Sequence, residues 1–183
     1  MKLRDIILQK SYETFYQRGF HDSGVELLAK QAGTTKRTLY AHFGNKEGLI
    51  EEVLKYRHEM FMTQLRDHFD KFDSKDTTDI DITTRYLEFL QHWTSSDGSY
   101  GCMFINACAE YSDTQSSPHK IASQHKTEVR QLLLYKFEQV GANNCKQKAD
   151  ILFVFGEGII VAAQTGQKLL DLDTQFLINM MYV

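Results

Sequence analysis

The side chains best equipped for chemistry stand close together in this 183-residue chain: Thr34, Thr35, Lys36, Arg37, Thr38, Tyr40, His42 and Lys46. They are cations and hydrogen-bond donors, the groups that meet phosphate oxygens and the edges of bases. Lys36 and Arg37 place positive charge near the start of a short expected helix, and a helix N-terminus itself attracts phosphate. Tyr40 can donate a hydrogen bond to a phosphate oxygen. Lys46 falls in the first turn of the next expected helix, where a cation opposes the helix dipole; a phosphate partner would account for it.

The elements that must hold these residues are helices. Leu3, Ile7, Leu8, Tyr12 and Phe15 recur at helical spacing, so a first helix is expected from Leu3 to Arg18, ended by Gly19. Ser23-Gly24-Val25-Glu26 has the spacing of a capping box with Ser23 at the N-cap. Val25, Leu28, Ala29 and Ala32 give a second helix one apolar face, broken at Gly33. Thr34 or Thr35 caps a third helix to Phe43, with Leu39 and Phe43 inward and Thr35, Lys36, Arg37, Tyr40, Ala41 and His42 outward. Two short helices joined by a tight glycine-containing turn form the pattern of a helix-turn-helix, whose second helix suits the major groove of duplex DNA. A short surface helix bearing Lys, Arg and Tyr also reads as an ordinary solvated face. Asn45 can cap a fourth helix that carries Leu49, Ile50, Val53 and Leu54 and continues towards Phe69.

The rest of the chain reads the same way. Helices are expected near Ile80–Thr94, Cys102–Tyr111, Pro118–Val140, Lys146–Leu170 and Asp173–Met181, with polar connections at Asp73–Asp79, Ser95–Ser99 and Ser112–Ser117. A single proline, Pro118, suits an all-α protein. The formal net charge of −3 argues at first against a nucleic-acid partner, but its distribution matters more. Residues 1–57 hold ten Lys/Arg against seven Asp/Glu, a net of +3, and the remainder holds eleven against seventeen, a net of −6. A basic head on an acidic body permits local phosphate binding.

Composition and motifs narrow the alternatives. No nucleophile elbow, HExxH or P-loop occurs, and Gly156-Glu157-Gly158 lacks the rest of a dinucleotide fingerprint, so an enzyme is not expected. None of the seven histidines pairs with a cysteine or another histidine at close ligand spacing, so neither a metal nor a cofactor is expected. Three cysteines without a CxxC, and Lys2, Arg4 and Asp5 where a signal peptide would be apolar, point to the cytoplasm. The longest apolar stretch, Ile151–Ala163, carries Glu157 and is too short for a membrane span. A purely structural helical protein remains the alternative to a DNA binder.

On these residues the stretch Arg4–Leu54 resembles the TetR family of regulators: Ile7-Leu8, Phe15, Gly19-Phe20, Leu28-Ala29, Ala32-Gly33-Thr34-Thr35-Lys36-Arg37-Thr38-Leu39-Tyr40-Ala41-His42-Phe43, then Lys46-Glu47-Gly48-Leu49. The resemblance implies a three-helix DNA-binding head over residues 1–57 and a helical ligand-binding and dimerisation body over 58–183, about nine helices in all. It implies DNA-facing roles for Thr35, Lys36, Arg37, Thr38, Tyr40 and His42 and a phosphate clamp at Lys46; Ser23, Thr34 and Ala41 complete the expected set. The chain departs from the family pattern at Ser23-Gly24, Glu26 and Arg37, which bears on the bases read.

The resemblance also implies a homodimer, an unknown small-molecule effector and a repressor released from a palindromic operator. Ile151, Val154, Phe155, Gly158, Ile159 and Ala162, with Phe176 and Met180 of the last expected helix, make apolar stripes suited to a dimer interface. An intramolecular core would bury the same stripes. Trp93, Cys102, Phe104, Asn106, Glu110 and Tyr111 are the candidate effector residues; taken singly, each reads as core. The Gly101-Cys102 context resembles that of regulators that sense electrophiles, against the plain reading of Cys102 as a small buried hydrophobe.

Overall fold

A computed structural model describes residues 2–71, 76–96 and 100–167. Among the described residues the secondary structure is entirely helical: α1 (Leu3–Arg18), α2 (Val25–Gln31), α3 (Lys36–Phe43), α4 (Lys46–Asp70), α5 (Asp79–Ser95), α6 (Met103–Glu110), α7 (Ser117–Gln139) and α8 (Cys145–Gln164). The ninth expected helix, Asp173–Met181, and with it Phe176 and Met180, lies outside the described residues.

The helices form two compact units. One comprises residues 2–60 and 103–125, and the other residues 61–102 and the described residues after 125. The first segment of the first unit runs to residue 60, within α4. However, α6 and the start of α7 join the unit that holds α1 to α3, which periodicity does not reveal. The residues of α4 contribute to both units.

In the first unit Ile7, Phe15, Phe20, Leu28, Leu39, Leu49, Ile50, Val53 and Leu54 are all at most 2% exposed. The apolar periodicities of α1 to α4 converge on this core. Arg57 is buried with them, donating to the Tyr12 hydroxyl at 3.1 Å and lying over the Tyr16 ring.

In the second unit α5 packs on α8, and Gly156 makes the close approach possible. A Cβ there would stand 2.7 Å from the Tyr86 ring and hydroxyl and 2.8 Å from Leu90. Phe61 meets Phe89 and Trp93 edge-on, both at 5.4 Å. Charged side chains tie the helices at their margins: Lys126 to Glu157 at 2.7 Å, Lys136 to Asp70 at 3.0 Å, and Lys148 to Asp79. The start of α5 is set by a capping box missed in the sequence: the Thr78 hydroxyl accepts from Asp81 N–H, and Asp81 accepts from Thr78 N–H at 2.7 Å. The Thr78 hydroxyl also donates to the Asp81 carboxylate at 2.7 Å, and this bond, with that from Thr78 N–H, holds the Asp81 carboxyl below its ordinary pKa.

Two expected helix limits need correction. Ser23 is not the N-cap of α2: Gly24 occupies that position, and the Ser23 hydroxyl donates instead to Gly19 O at 2.7 Å. The last helix of the described chain stops at Gln164 rather than Leu170, because Gly166 at φ +70° turns the backbone. Gly166 N–H then bonds Ala163 O, and Gln167 N–H bonds Ala162 O.

Candidate nucleic-acid interface

The α2–α3 turn is closed by its own main chain. Gly33 N–H bonds Lys30 O at 3.1 Å and Thr34 N–H bonds Ala29 O at 2.9 Å, a geometry that requires the positive φ of Gly33. Thr35 then caps α3, its hydroxyl accepting from Thr38 N–H at 3.2 Å and lying 3.0 Å from the Thr38 hydroxyl. Leu39 and Phe43 are buried and fix the roll of the helix. That roll leaves Thr35, Lys36, Arg37, Ala41 and His42 exposed, with Thr34, Thr38, Tyr40 and Lys46 half-buried.

The electrostatics of this face are partly satisfied within the chain. Lys36 bonds Glu26 at 3.0 Å and lies over the Tyr40 ring at 5.8 Å. The bond to Glu26 raises the Lys36 pKa and lowers that of Glu26. Both groups are exposed, so a stronger anion can replace Glu26 at little cost.

Lys46 needed a partner at the sequence level, and the fold supplies one. Its ammonium donates to His21 O at 3.3 Å. Partial burial lowers its pKa, while the charges of Glu110 and Asp22 raise it.

Several expected site residues lie elsewhere than the sequence suggested. Ser23 is fully buried, with its hydroxyl turned to Gly19 O, so it is not on the exposed face. Glu110, expected to face an effector, instead accepts from Phe20 N–H at 2.9 Å and His21 N–H at 2.6 Å. Tyr111 packs against Phe20 and His21, with ring centroids 6.1 and 5.0 Å away. Both residues therefore serve the α1–α2 turn. Nothing in a linear sequence pairs Glu110 with residues ninety positions earlier; the only signal is a carboxylate at the end of a helix, where it opposes the dipole.

Phe104 is buried and stacks on His125 at 3.6 Å, with the rings 12° from parallel. Asn106 is half-buried in the same unit. In the second unit Trp93 lines a groove of about 240 Å³ with Gln64, Asp67, His68, Lys71, Phe89, His92 and Ser96. Cys102 is 4% exposed, with the Lys126 ammonium beside its thiol. Burial alone would lower the pKa of Lys126, but Cys102 and Glu157 outweigh it and the value is raised.

On α8 the structure separates the expected stripe. Ile151, Val154 and Gly158 are exposed, Phe155 and Ala162 half-buried, and Val161, absent from the expectation, is exposed with them. Ile159 corrects the expectation: at 6% exposure it belongs to the unit's own core. A stripe read at i, i+3 and i+4 cannot distinguish two adjacent faces that are both apolar.

Comparison with known proteins matches residues 7–53 to the family model of bacterial regulatory proteins, tetR family. The chain is 25% identical over 173 residues to the HTH-type transcriptional repressor ComR of Escherichia coli, covering 91% of this chain and 81% of that protein. Its fold is similar to that of a TetR transcriptional regulator from Streptomyces avermitilis, with a TM-score of 0.80, 21% identity, and coverage of 99% of this chain and 98% of the other. It is similar also to a cysteine mutant of the TetR-family regulator CifR, solved with 26-base-pair operator DNA, with a TM-score of 0.77, 19% identity, and coverage of 97% and 94%. The helix-turn-helix geometry and the family match agree over residues 7–53: this segment is a tetR-type DNA-binding head, and the chain as a whole is similar in fold to TetR-family transcriptional regulators.

Proposed function

We propose that this regulator is a cytoplasmic repressor that binds a palindromic operator as a homodimer and is released by a small molecule or an electrophile. One observation carries the reading: buried Leu39 and Phe43 turn Thr35, Lys36, Arg37, Ala41 and His42 of α3 outward together. In this reading residues 1–57 are the DNA-binding head. Thr34, Thr38, Tyr40 and Lys46 flank the groove-reading face, and the cations among them meet phosphate. The similar protein ComR is named a repressor, and the CifR mutant was solved on operator DNA.

Two heads on one palindrome require two subunits with their recognition helices roughly 34–36 Å apart or a multiple of that. The exposed apolar face of α8, with Ile151, Val154, Phe155, Gly158 and Ala162, supports self-association. Release requires an effector that prefers the conformation with poor DNA affinity. By linkage DNA and effector then weaken each other equally, typically by about 1–3 kcal/mol. Trp93, on its groove, and Cys102, beside Lys126, are the effector-side candidates. A Cys102→Ser protein that still leaves DNA on electrophile treatment removes Cys102 from that role. The shared helix α4 is the proposed route to the head.

The reading is tested by selecting binders from a pool of random duplexes at a stated salt concentration. An enriched palindrome with two half-sites supports it. Absence of enrichment at moderate salt sinks the operator assignment.

A further inference from the structure

Two charges in the first unit stand at the wrong ends of their helices. Glu110 is the last residue of α6, and Lys46 the first of α4, so each opposes its helix dipole. Both converge on one peptide segment, the turn between α1 and α2. The Glu110 carboxylate takes Phe20 N–H on Oε1 at 2.9 Å and His21 N–H on Oε2 at 2.6 Å. The His21 carbonyl accepts from the Lys46 ammonium at 3.3 Å, and the His21 imidazole Nδ1 lies 3.5 Å from Oε2. The main chain of His21 is thus held on both sides by opposite charges.

Neighbouring residues make room for this arrangement and lock it. Gly19 has no Cβ, and one placed there would stand 2.9 Å from Oε1. Phe20 is 1% exposed and packs on Phe15 at 5.2 Å and on Tyr111 at 6.1 Å, so the turn cannot slide along α6 without breaking core contacts. Four residues after His21, α2 begins at Val25, and α2 carries α3.

We infer that Glu110 is a positioning residue for DNA recognition: its carboxylate anchors the α1–α2 turn to the end of α6 and so fixes α2, and with it α3, in the DNA-binding pose. Charge-assisted bonds to two main-chain N–H groups are stronger and more directional than the water bonds that a surface turn would otherwise make. Because Glu110 is itself an anion close to a DNA-binding head, its electrostatic effect on a duplex is repulsive. The inference therefore predicts an asymmetry: loss of the carboxylate weakens binding that needs the correct pose, while binding that needs only positive charge is unchanged or strengthened.

The inference rests on the DNA-binding reading, and the experiment uses the full-length protein. Glu110→Gln and Glu110→Asp are measured on the duplex selected by the wild-type protein and on a random-sequence duplex of equal length, at one salt concentration. Amide hydrogen exchange of Phe20 and His21 is followed alongside. Glu110→Gln is expected to lose about tenfold on the selected duplex and nothing on the random one, with Phe20 and His21 exchanging faster while Leu28 and Leu39 stay protected. Glu110→Asp keeps the charge but draws the carboxylate back by one methylene, and the same direction of change is expected. Unchanged exchange at Phe20 and His21, or unchanged discrimination between the duplexes, overturns the inference. So does full retention by Glu110→Asp, which would leave charge alone as the cause. Equal losses on both duplexes with protection lost throughout mark a folding defect and also count against a positioning role. Failure of the operator reading shows differently, in a wild-type protein that selects no duplex.

Discussion

Two helices of this protein turn one face outward, and the faces differ in kind. The face of α3 is made of Thr35, Lys36, Arg37, Ala41 and His42, with Lys36 held by an exposed bond to Glu26 and lying over the Tyr40 ring. The face of α8 is made of Ile151, Val154, Gly158 and Val161, and Val154 is 66% exposed. A row of donors and cations fits a polyanion and binds it in a salt-dependent way. A row of aliphatic side chains fits another apolar surface and is little affected by salt. Exposure alone identifies neither face as a site; the chemistry of the exposed atoms distinguishes their partners.

The largest expected effect comes from breaking the α8 face. Val154→Asp places a carboxylate in the middle of the stripe, where pairing with a second copy would have to desolvate it. Sedimentation should show a monomer. Affinity for a two-half-site duplex should fall by about 100-fold or more, because the second head no longer binds intramolecularly. A Val154→Asp protein that stays dimeric moves the interface elsewhere. The α3 face should be untouched: affinity for a single half-site should match the wild type.

Breaking the α3 face costs less. If Arg37 reaches a guanine edge, Arg37→Ala should relax the preference at one base position, with about 1–3 kcal/mol lost on the preferred base and little on the others. Equal losses on every sequence would move Arg37 to the phosphate class. Selection profiles of the two proteins on the same pool decide between these outcomes.

The same contrast explains what was legible in the sequence. The head was readable because its chemistry is contiguous: Gly33, Thr35, Lys36, Arg37 and Leu39 lie within seven residues, and local capping and periodicity set their geometry. The start of α1 and the Asn45 bond to Gly48 N–H followed from such local rules, which left both Thr34 and Thr35 open as the α3 cap that Thr35 fills. Glu110 and Tyr111 were not readable. Their partners lie about ninety positions away, and a carboxylate followed by an aromatic suits a pocket as well as a clamp. Ser23 shows a local rule losing to a local competitor: its hydroxyl satisfies Gly19 O instead of capping α2. Ile159 was misplaced because both faces of α8 near it are apolar.

Lys46 sharpens the comparison from the polar side. Removing its ammonium should weaken binding to all sequences alike and reduce the slope of log K against log salt by about one unit. The structure adds a competing demand, since Lys46 also holds His21 O. A Lys46→Ala protein that loses affinity with an unchanged salt slope would assign the residue to the turn rather than to phosphate. A Lys46→Arg protein should keep the slope.

The smallest effect is expected in the second unit, at a polar groove that binds no phosphate in this scheme. His68 lines it, and burial lowers its pKa; Lys71 and His92 add to the depression, while Glu88 and a bond to the Arg85 main chain oppose it. A histidine whose pKa is lowered by folding binds its proton more readily in the unfolded chain. Its contribution to stability is therefore fully present above the unfolded value of about 6.5 and is lost as pH falls through that value towards the folded one. Urea midpoints of the wild-type protein should fall between about pH 7.5 and pH 5.5. Other groups titrate over the same range, so the informative quantity is the difference from His68→Gln, whose midpoint should fall less. An equal fall in both proteins would mean that His68 is as easily protonated in the fold as out of it, and the polar contrast between the two units would then rest on α3 alone.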